Sequence, residues 1–557
     1  MPYNIAIVDG GIAGLYSALL LQREGHKVHI FEASNRVGGR IFMHYFTGEK
    51  NQFFDAGAMI IPGTNLHCIV SSLTSYINSS PSLPSDMQLS FLRYPETWWR
   101  VRMLVNGYRQ DWWNPGILTP SMVNWPVPDT WESESADDRL IQAMGSYIAD
   151  LYKNFDDTFN VLLTLDAQYG SFRKFVGSTR GKDRAWPDAF IDFVETVCFE
   201  TNAFELSCAE IILRRMEYNL STSWKIVNGG ADRLTEAMAT LVGWDSITLG
   251  ARVNKGSFDK VILAIPPAAL EMIYDRPRWS PDKETALRAM HFEPAYKMGL
   301  RFKTRWWDRV DAPRVKVGES ITDLPVRLIH YPPILDEQNL KDEPGTLVIA
   351  AAGADTRLWL PLSPTARRSL ALRCLAQLYS DKADIDVYAE LIDTFDVVWS
   401  ERCATGTAAF LPGQFARYLQ PAKRAEGNIF FAGEHLSRRH GWMTGALESA
   451  LDTVRDLLGS PDLAPLSRDD NKTKTDTQSA TAIAAAVPTA EVNFNDIPPV
   501  GLPFEFYPKD PMFPGGVGVP LHKGWGAHRG ARVLKDLGTH DGFANGIEVA
   551  YLVGPNA

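Results

Sequence analysis

The chain has 557 residues, 45% of them hydrophobic and 22% charged, which suits a folded protein with two or three domains and a sizeable core. A net charge of −10 without a long basic stripe argues against nucleic acid as a partner, and no run of about 18 apolar residues is present to span a membrane. The five cysteines (Cys68, Cys198, Cys208, Cys374, Cys403) form no C-x-x-C pair, so reduced thiols are expected and no metal site.

The opening, MPYNIAIV, runs straight into a strand pattern at Asn4–Val8, so no secretion signal and a cytoplasmic location are expected. The next stretch, VDGGIAGLYSALLLQREGHKVHIFE, is close to the dinucleotide fingerprint G-x-G-x-x-G. Gly11 and Gly14 fill its second and third glycine positions, with Ile12 and Ala13 between them, but Asp9 stands at the first. Leu15, Ala18 and Leu19 share one helical face, and Gly25 is a stop signal. A second strand, Val28–Phe31, ends at Glu32, an acid placed to accept from a ribose hydroxyl. The helix N-terminus would face a pyrophosphate. The alternative is an αβ turn with incidental glycines. Asp9 raises two expectations, a strained backbone if φ is positive and repulsion of a pyrophosphate. At an effective dielectric of about 20, like charges 4–5 Å apart repel by roughly 3–4 kcal/mol. Weakened cofactor affinity, short of abolished binding, is expected.

Directly after Glu32 the chain reads EASNRVGGR, placing Ala33, Arg36, Gly39 and Arg40 in a basic, glycine-containing loop. This run resembles the E-A-x-x-R-x-G-G-R motif of the flavin-containing amine oxidase family. WKIVNGGADRL (224–234), VILAIPP (261–267) and FFAGEHLSRRHGWMTGALESA (430–450) resemble three further family segments. The resemblance covers roughly residues 4–458. It implies an α/β Rossmann-like FAD-binding domain assembled from separate chain segments, an α+β substrate domain and a helical lobe. It also implies FAD-contacting roles for Gly57, Ala58, Met59, Val253, Gly433, Glu434, Gly441, Met443 and Thr444. Glu434 is expected to accept from the ribityl chain. No cysteine falls in 430–450, so the FAD is expected to be non-covalent.

FDAGAMIIP (54–62) and TDLPVRLIHYP (322–332) resemble segments of the L-amino-acid oxidase branch, where an Arg and a Tyr hold the substrate carboxylate. Tyr331 matches the Tyr, but Ile60 stands at the Arg. Losing one partner of a desolvated carboxylate costs about 2–5 kcal/mol. The substrate therefore lacks a free carboxylate, or another cation replaces the Arg, or the local alignment slips. Lys297 matches the lysine that holds a water near flavin N5, with a surface lysine at a strand start as the alternative. Trp442 would wall the substrate cavity. His440 is either a general base or a satisfied structural histidine. The tryptophan pairs 98–99, 112–113 and 306–307 are expected in cores and strands, since neighbours on a strand face opposite ways. A third departure is the short link at 252–258, which shortens a hairpin beside the adenine.

The expected layout is an FAD domain from 1–65, 224–290 and 395–458, a substrate domain from 66–120 and 291–394, and a helical lobe at 121–223. A low-complexity linker at 459–495 and a tail at 496–557 of unassigned role follow. The expected activity is FAD-dependent oxidative deamination of an amine or L-amino acid, with oxygen as acceptor and ammonia and hydrogen peroxide released. Two alternatives stay open. One is an oxidase or desaturase of a carboxylate-free amine in a biosynthetic pathway. The other is a degenerate, non-catalytic fold retained for binding. A homodimer is compatible with either.

Overall fold

In a computed structural model of the chain, the residues described are 1–49, 51–94, 100–113, 118–180, 183–218, 224–251, 258–273, 276–310, 318–332, 343–382, 384–402 and 406–471. Asn4–Val8 is the middle strand of a five-stranded parallel sheet, in the order 247–249, 27–32, 4–8, 260–263, 429–431. Its last four residues are buried, as a strand covered on both faces requires. The register runs Ile5 to Lys260 through Val8 to Leu263 on one side and Asn4 to Lys27 through Val8 to Phe31 on the other. Helix Ile12–Arg23 is buried without a break from Ile12 to Leu21, because Asp232–Val242 and Met443–Leu458 both pack on it. It stops at Glu24, and Gly25 takes φ +83°.

A second, seven-stranded sheet runs in the order 391–398, 295–302, 345–352, 328–331, 318–322, 100–105, 108–113. Its two faces do different work. Tyr296, Met298, Leu300, Phe302, Ile329, Tyr331, Leu347 and Ile349 share a core with helix Pro364–Leu378. The opposite face carries Lys297, with Ala350 and Leu328 in register across the sheet, and Gly299, Val348 and His330 in the next row. That face meets the first part of the chain: Phe54 packs so closely that a Cβ on Gly299 would enter its ring. Trp306 and Trp307 both lie in the first of these cores, 5.4 Å apart and edge to face. They open a short helix, Trp306–Val310, so the opposed-face rule for strands does not govern them. Trp98 and Trp99 lie outside the described residues.

A small antiparallel sheet joins Ile61–Pro62, Trp224–Val227 and Phe91–Tyr94, pairing Pro62 with Trp224 and Trp224 with Tyr94. Between residues 136 and 217 the chain forms helices Ala136–Lys153, Phe155–Tyr169, Phe172–Val176, Asp188–Cys198 and Cys208–Glu217. The first two of these helices are separated by a single residue. Asn154 divides them by capping the second through Asp157 N–H. Among the described residues no helix is long and apolar enough to cross a membrane.

Candidate functional site

The glycine loop leaves the sheet at its carboxyl edge, where open parallel sheets bind ligands. Gly14 has no room for a side chain, since a Cβ there would strike the Asp9 carbonyl. A Cβ on Gly11 would lie 2.6 Å from Asp9 Oδ2, and one on Gly39 would lie 3.3 Å from Gly11 Cα. Gly38 N–H donates to Gly10 carbonyl at 2.8 Å, which closes the two loops on each other. Asp9 sits at φ +91°, where glycine is at home and a side chain is strained. Glu32 is buried at the end of its strand. Its Oε2 accepts from Gly10 N–H at 2.7 Å and its Oε1 from Ser34 N–H at 2.8 Å.

The surroundings of Asp9 disfavour its charged form. Burial, followed by the charge of Glu32 and a hydrogen bond to it, pushes the Asp9 carboxyl well above the usual range, and the milder pulls of the Gly11 backbone and Arg40 do not reverse this. A carboxyl raised in this way favours its protonated form, in which Asp9 would compete with a nucleotide for Glu32.

Arg36 spends its guanidinium on its own loop, donating to Val37 and Ile41 carbonyls at 3.1 Å each and to Gly39 carbonyl at 2.7 Å. Arg40 reaches across the fold to Glu434 Oε2 at 2.9 Å and Gly406 carbonyl at 3.0 Å. Glu434 also accepts from Thr407 Oγ1 at 2.9 Å and from the N–H groups of Ala408 (3.2 Å) and Gly441 (2.6 Å). Burial pushes its carboxyl up, but Arg40, His440 and the Gly441 amide together pull it down to about 2. With these donors in place, Glu434 ties loops together more than it offers a lone pair to a ribityl chain. Gly433 takes φ +143°, and Met443 and Thr444 open the helix Met443–Leu458, both buried.

Lys297 donates to Gly57 carbonyl at 2.6 Å and to Asp55 carbonyl at 3.4 Å, joining the second sheet to the first segment. Burial lowers its ammonium to about 8, against the opposing pull of Asp55. Asp55 itself is pushed up to about 7 by burial, although it accepts from Ala231 N–H. Beside it Ala58 N–H donates to Arg40 carbonyl at 3.1 Å, and Met59 is buried. Ile60 is half-buried and precedes the strand Ile61–Pro62.

Tyr331 is turned away from Lys297. It is fully buried in the core behind the sheet, with its hydroxyl bonded to Tyr379 at 2.6 Å and Ser320 at 3.0 Å. The residue on the Lys297 face is His330, whose Nδ1 lies 3.1 Å from Glu319 Oε1. His440 Nδ1 meets Glu210 Oε2 at 2.7 Å and its ring stacks on Phe415. Val253 and the short link after it lie outside the described residues.

Residues 12–458 match the family model described as flavin containing amine oxidoreductase. The chain belongs to this family. A putative L-amino-acid oxidase, YobN, of Bacillus subtilis (strain 168) is 26% identical over 479 residues, covering 81% of this chain and 93% of the relative. The L-amino-acid oxidase of Naja atra is 25% identical over 476 residues, covering 82% and 88%. Putrescine oxidase bound to putrescine superposes with a TM-score of 0.60 at 20% identity, over 82% of this chain and 99% of that one. Cyclohexylamine oxidase from Brevibacterium oxydans IH-35A gives 0.54 at 15%, over 83% and 100%. These structural likenesses bear on the fold.

This flavin amine oxidoreductase uses FAD and carries out oxidative deamination of amines or amino acids. The residues fit the nucleotide end of the cofactor. The bare backbones of Gly11, Gly14 and Gly39 make a cradle that side chains would fill, and Glu32 is a buried acceptor beside it. Asp9 is the one poor fit among them.

Sequence reasoning missed the group around Trp442. His67 is buried, with Nδ1 2.6 Å from Thr444 Oγ1 and Nε2 2.6 Å from Glu217 Oε2. Its ring meets Trp442 edge-on at 5.6 Å. Trp442 also lies 5.9 Å from Trp224 and 6.2 Å from Tyr218. A histidine five residues after Pro62 was the available signal, but its partners are 150 and 377 positions away.

Proposed function

We propose that this oxidoreductase acts on amines without a free α-carboxylate: simple amines, amino esters or tethered amino groups. The observation that carries this is the missing clamp. Ile60 offers no charge, and the Tyr331 hydroxyl is committed inside a core. A carboxylate moved into such a site would lose the charge-assisted fork that would offset its desolvation.

Bound FAD supplies the two-electron acceptor for the substrate's Cα–H bond, and oxygen carries those electrons on to hydrogen peroxide. The released imine takes up water and yields an oxo product and ammonia. One amine, one oxygen and one water thus give one oxo product, one ammonia and one peroxide. Glu32 and Ala33 would hold the adenosine ribose, and Gly11, Ile12, Ala13, Gly14 and Arg40 the pyrophosphate. Gly57, Ala58 and Met59 with Gly441, Met443 and Thr444 would border the ring end. Gly433 and Glu434 would set the position of that last group, and Arg36 and Gly39 would shape the loop. Lys297, with its ammonium near 8, would hold a water or proton at the reacting edge. Ile60 and Trp442 would give the substrate a neutral wall.

The test is peroxide release by the FAD-loaded protein with 2-phenylethylamine, cyclohexylamine, putrescine and L-phenylalanine methyl ester against L-phenylalanine and L-leucine. Turnover of the amines or ester with little from the free amino acids is expected. A free amino acid with the highest kcat/KM would overturn the reading.

A further inference from the structure

We infer that the cleft between helices Phe155–Tyr169, Gln414–Lys423 and Met443–Leu458 is a binding site for an apolar monocarboxylate. It measures about 700 Å³, and none of the residues assigned above to cofactor or substrate lines it. Its floor is apolar. Phe159, Phe415, Leu419, Leu436 and Leu451 line it and are buried, and Phe159 meets Phe415 edge-on at 5.5 Å. Its rim faces solvent, since Asn160, Ala416 and Gln420 are exposed. A hydrocarbon body can therefore enter from water and lie on a surface that is already packed from behind.

Charge decides the head group. Lys423, Arg438, Arg439 and Arg455 line the cleft with two acids, Glu448 and Asp452. Both acids are already engaged. Asp452 is shared by Lys423 at 2.9 Å and Arg455 at 3.4 Å, and Glu448 pairs with Arg439 at 3.0 Å. Arg438 reaches Asp156 at 2.6 Å, but the Asp156 side chain is 77% exposed, where an ion pair contributes little. Four cations thus face three acids. Arg438 and Arg439 also crowd one ring, with guanidinium carbons 4.9 and 4.8 Å from the centre of Phe155. Two like charges over the same ring favour an anion beside them. Arg439 supplies the anchor. It is 8% exposed and donates to Leu66 carbonyl, while its Nε is buried without a hydrogen-bond partner among the described residues. A buried donor left unpaired carries a desolvation cost that an acceptor removes. The backbone behind it is fixed. A Cβ on Gly445 would lie 2.1 Å from Arg439 carbonyl, and Ser437 Oγ donates to that carbonyl at 3.0 Å. A held guanidinium above an apolar floor is preorganised for a carboxylate with a hydrocarbon body, and one surplus positive charge selects a monoanion.

The experiment is calorimetric titration of the FAD-loaded full chain with sodium octanoate, 1-octanol and sodium acetate. One octanoate per chain is expected, bound at least about tenfold more tightly than either comparison compound. The flavin absorbance should stay unchanged as the site fills. Arg439→Gln and Phe159→Ala should each raise the octanoate Kd about tenfold. Asp452→Asn releases Lys423 and Arg455 from their shared acid, so it should lower that Kd about threefold, a gain that a folding defect cannot imitate. Should Arg439→Gln fail to fold, Arg438→Gln replaces it, since that side chain is 38% exposed, and a rise in Kd of about threefold is expected. Octanoate that binds no more tightly than octanol, or without saturation, would overturn the inference. So would a Kd indifferent to these substitutions. A flavin absorbance change that tracks octanoate occupancy would place the carboxylate in the amine site and overturn it as well.

Discussion

Asp9 controls how the nucleotide loop titrates. Its carboxyl is raised by burial first and by Glu32 second, with Arg40 and the Gly11 backbone opposing, so it stays protonated well past the ordinary carboxylate range. A folded-state pKa above the unfolded one contributes stability that is full below the unfolded value and is lost as pH rises through the folded value. Ionised Asp9 would also face Glu32 and the pyrophosphate as a like charge. FAD affinity should therefore fall as pH rises through this titration, and apoprotein stability should fall with it. Asp9→Asn keeps a donor to Glu32 and tolerates positive φ, but cannot ionise. Its FAD dissociation constant, followed by flavin fluorescence from pH 5 to 9, should lack the Asp9-dependent rise of the wild type. Parallel profiles in the two proteins would show that Asp9 does not titrate in this range. Asp9→Gly should bind FAD most tightly, because it also removes the strain at φ +91°.

Lys297 gives a second residue-scale expectation. With the ammonium near 8 and Asp55 near 7, the two groups titrate as a pair. The pH–rate profile should inflect in that interval. Lys297→Met should remove the basic inflection and lower kcat by about 10²-fold. An unchanged basic limb would assign it to the substrate amine.

Elements show why some of this was legible and some was not. The glycine loop and Glu32 lie within one βαβ unit, so their spacing along the chain is also their spacing in space. Lys297 sits on a regular strand whose alternation fixes its face. Tyr331 obeys the same alternation, and its face is the wrong one: Ile329 and Tyr331 enter the core with Ile349, while His330 shares the other face with Val348. The resemblance gave the letter and the pleat decided the direction. The raised carboxyl of Asp9 was hidden because it arises from burial and from Glu32, one strand away. His67 was hidden because Thr444 and Glu217 come from two distant helices. That brace can be tested on the helix it supports. His67→Ala leaves Glu217 buried, with Oε1 already lacking a partner among the described residues and Oε2 newly so. The cost should be about 1–3 kcal/mol, read as a lower thermal midpoint. Trp442 fluorescence should change with it. Wild-type stability in His67→Ala would mean that the helix end holds itself.

Over the whole molecule, the cofactor site is where segments remote in sequence are bound together. Arg40 bonds Glu434 across 394 positions, Lys297 bonds Gly57 across 240, and Asp55 bonds Ala231 across 176. Each bond joins segments remote in sequence, and two of the three involve residues beside the proposed ring site. A ligand that binds only when these segments are together should stabilise all of them at once. At free FAD of about 100 times its dissociation constant, linkage adds about 2.7 kcal/mol to unfolding. Calorimetry of the apoprotein titrated with FAD should therefore show one transition moving upward as a unit. Glu434→Gln weakens the tie to Arg40 without removing the side chain, so it should reduce that shift and lower the apoprotein midpoint. If FAD instead raised one of two separate transitions and left the other in place, the two sheets would be energetically independent. The Lys297 bond would then be a contact between bodies that fold alone.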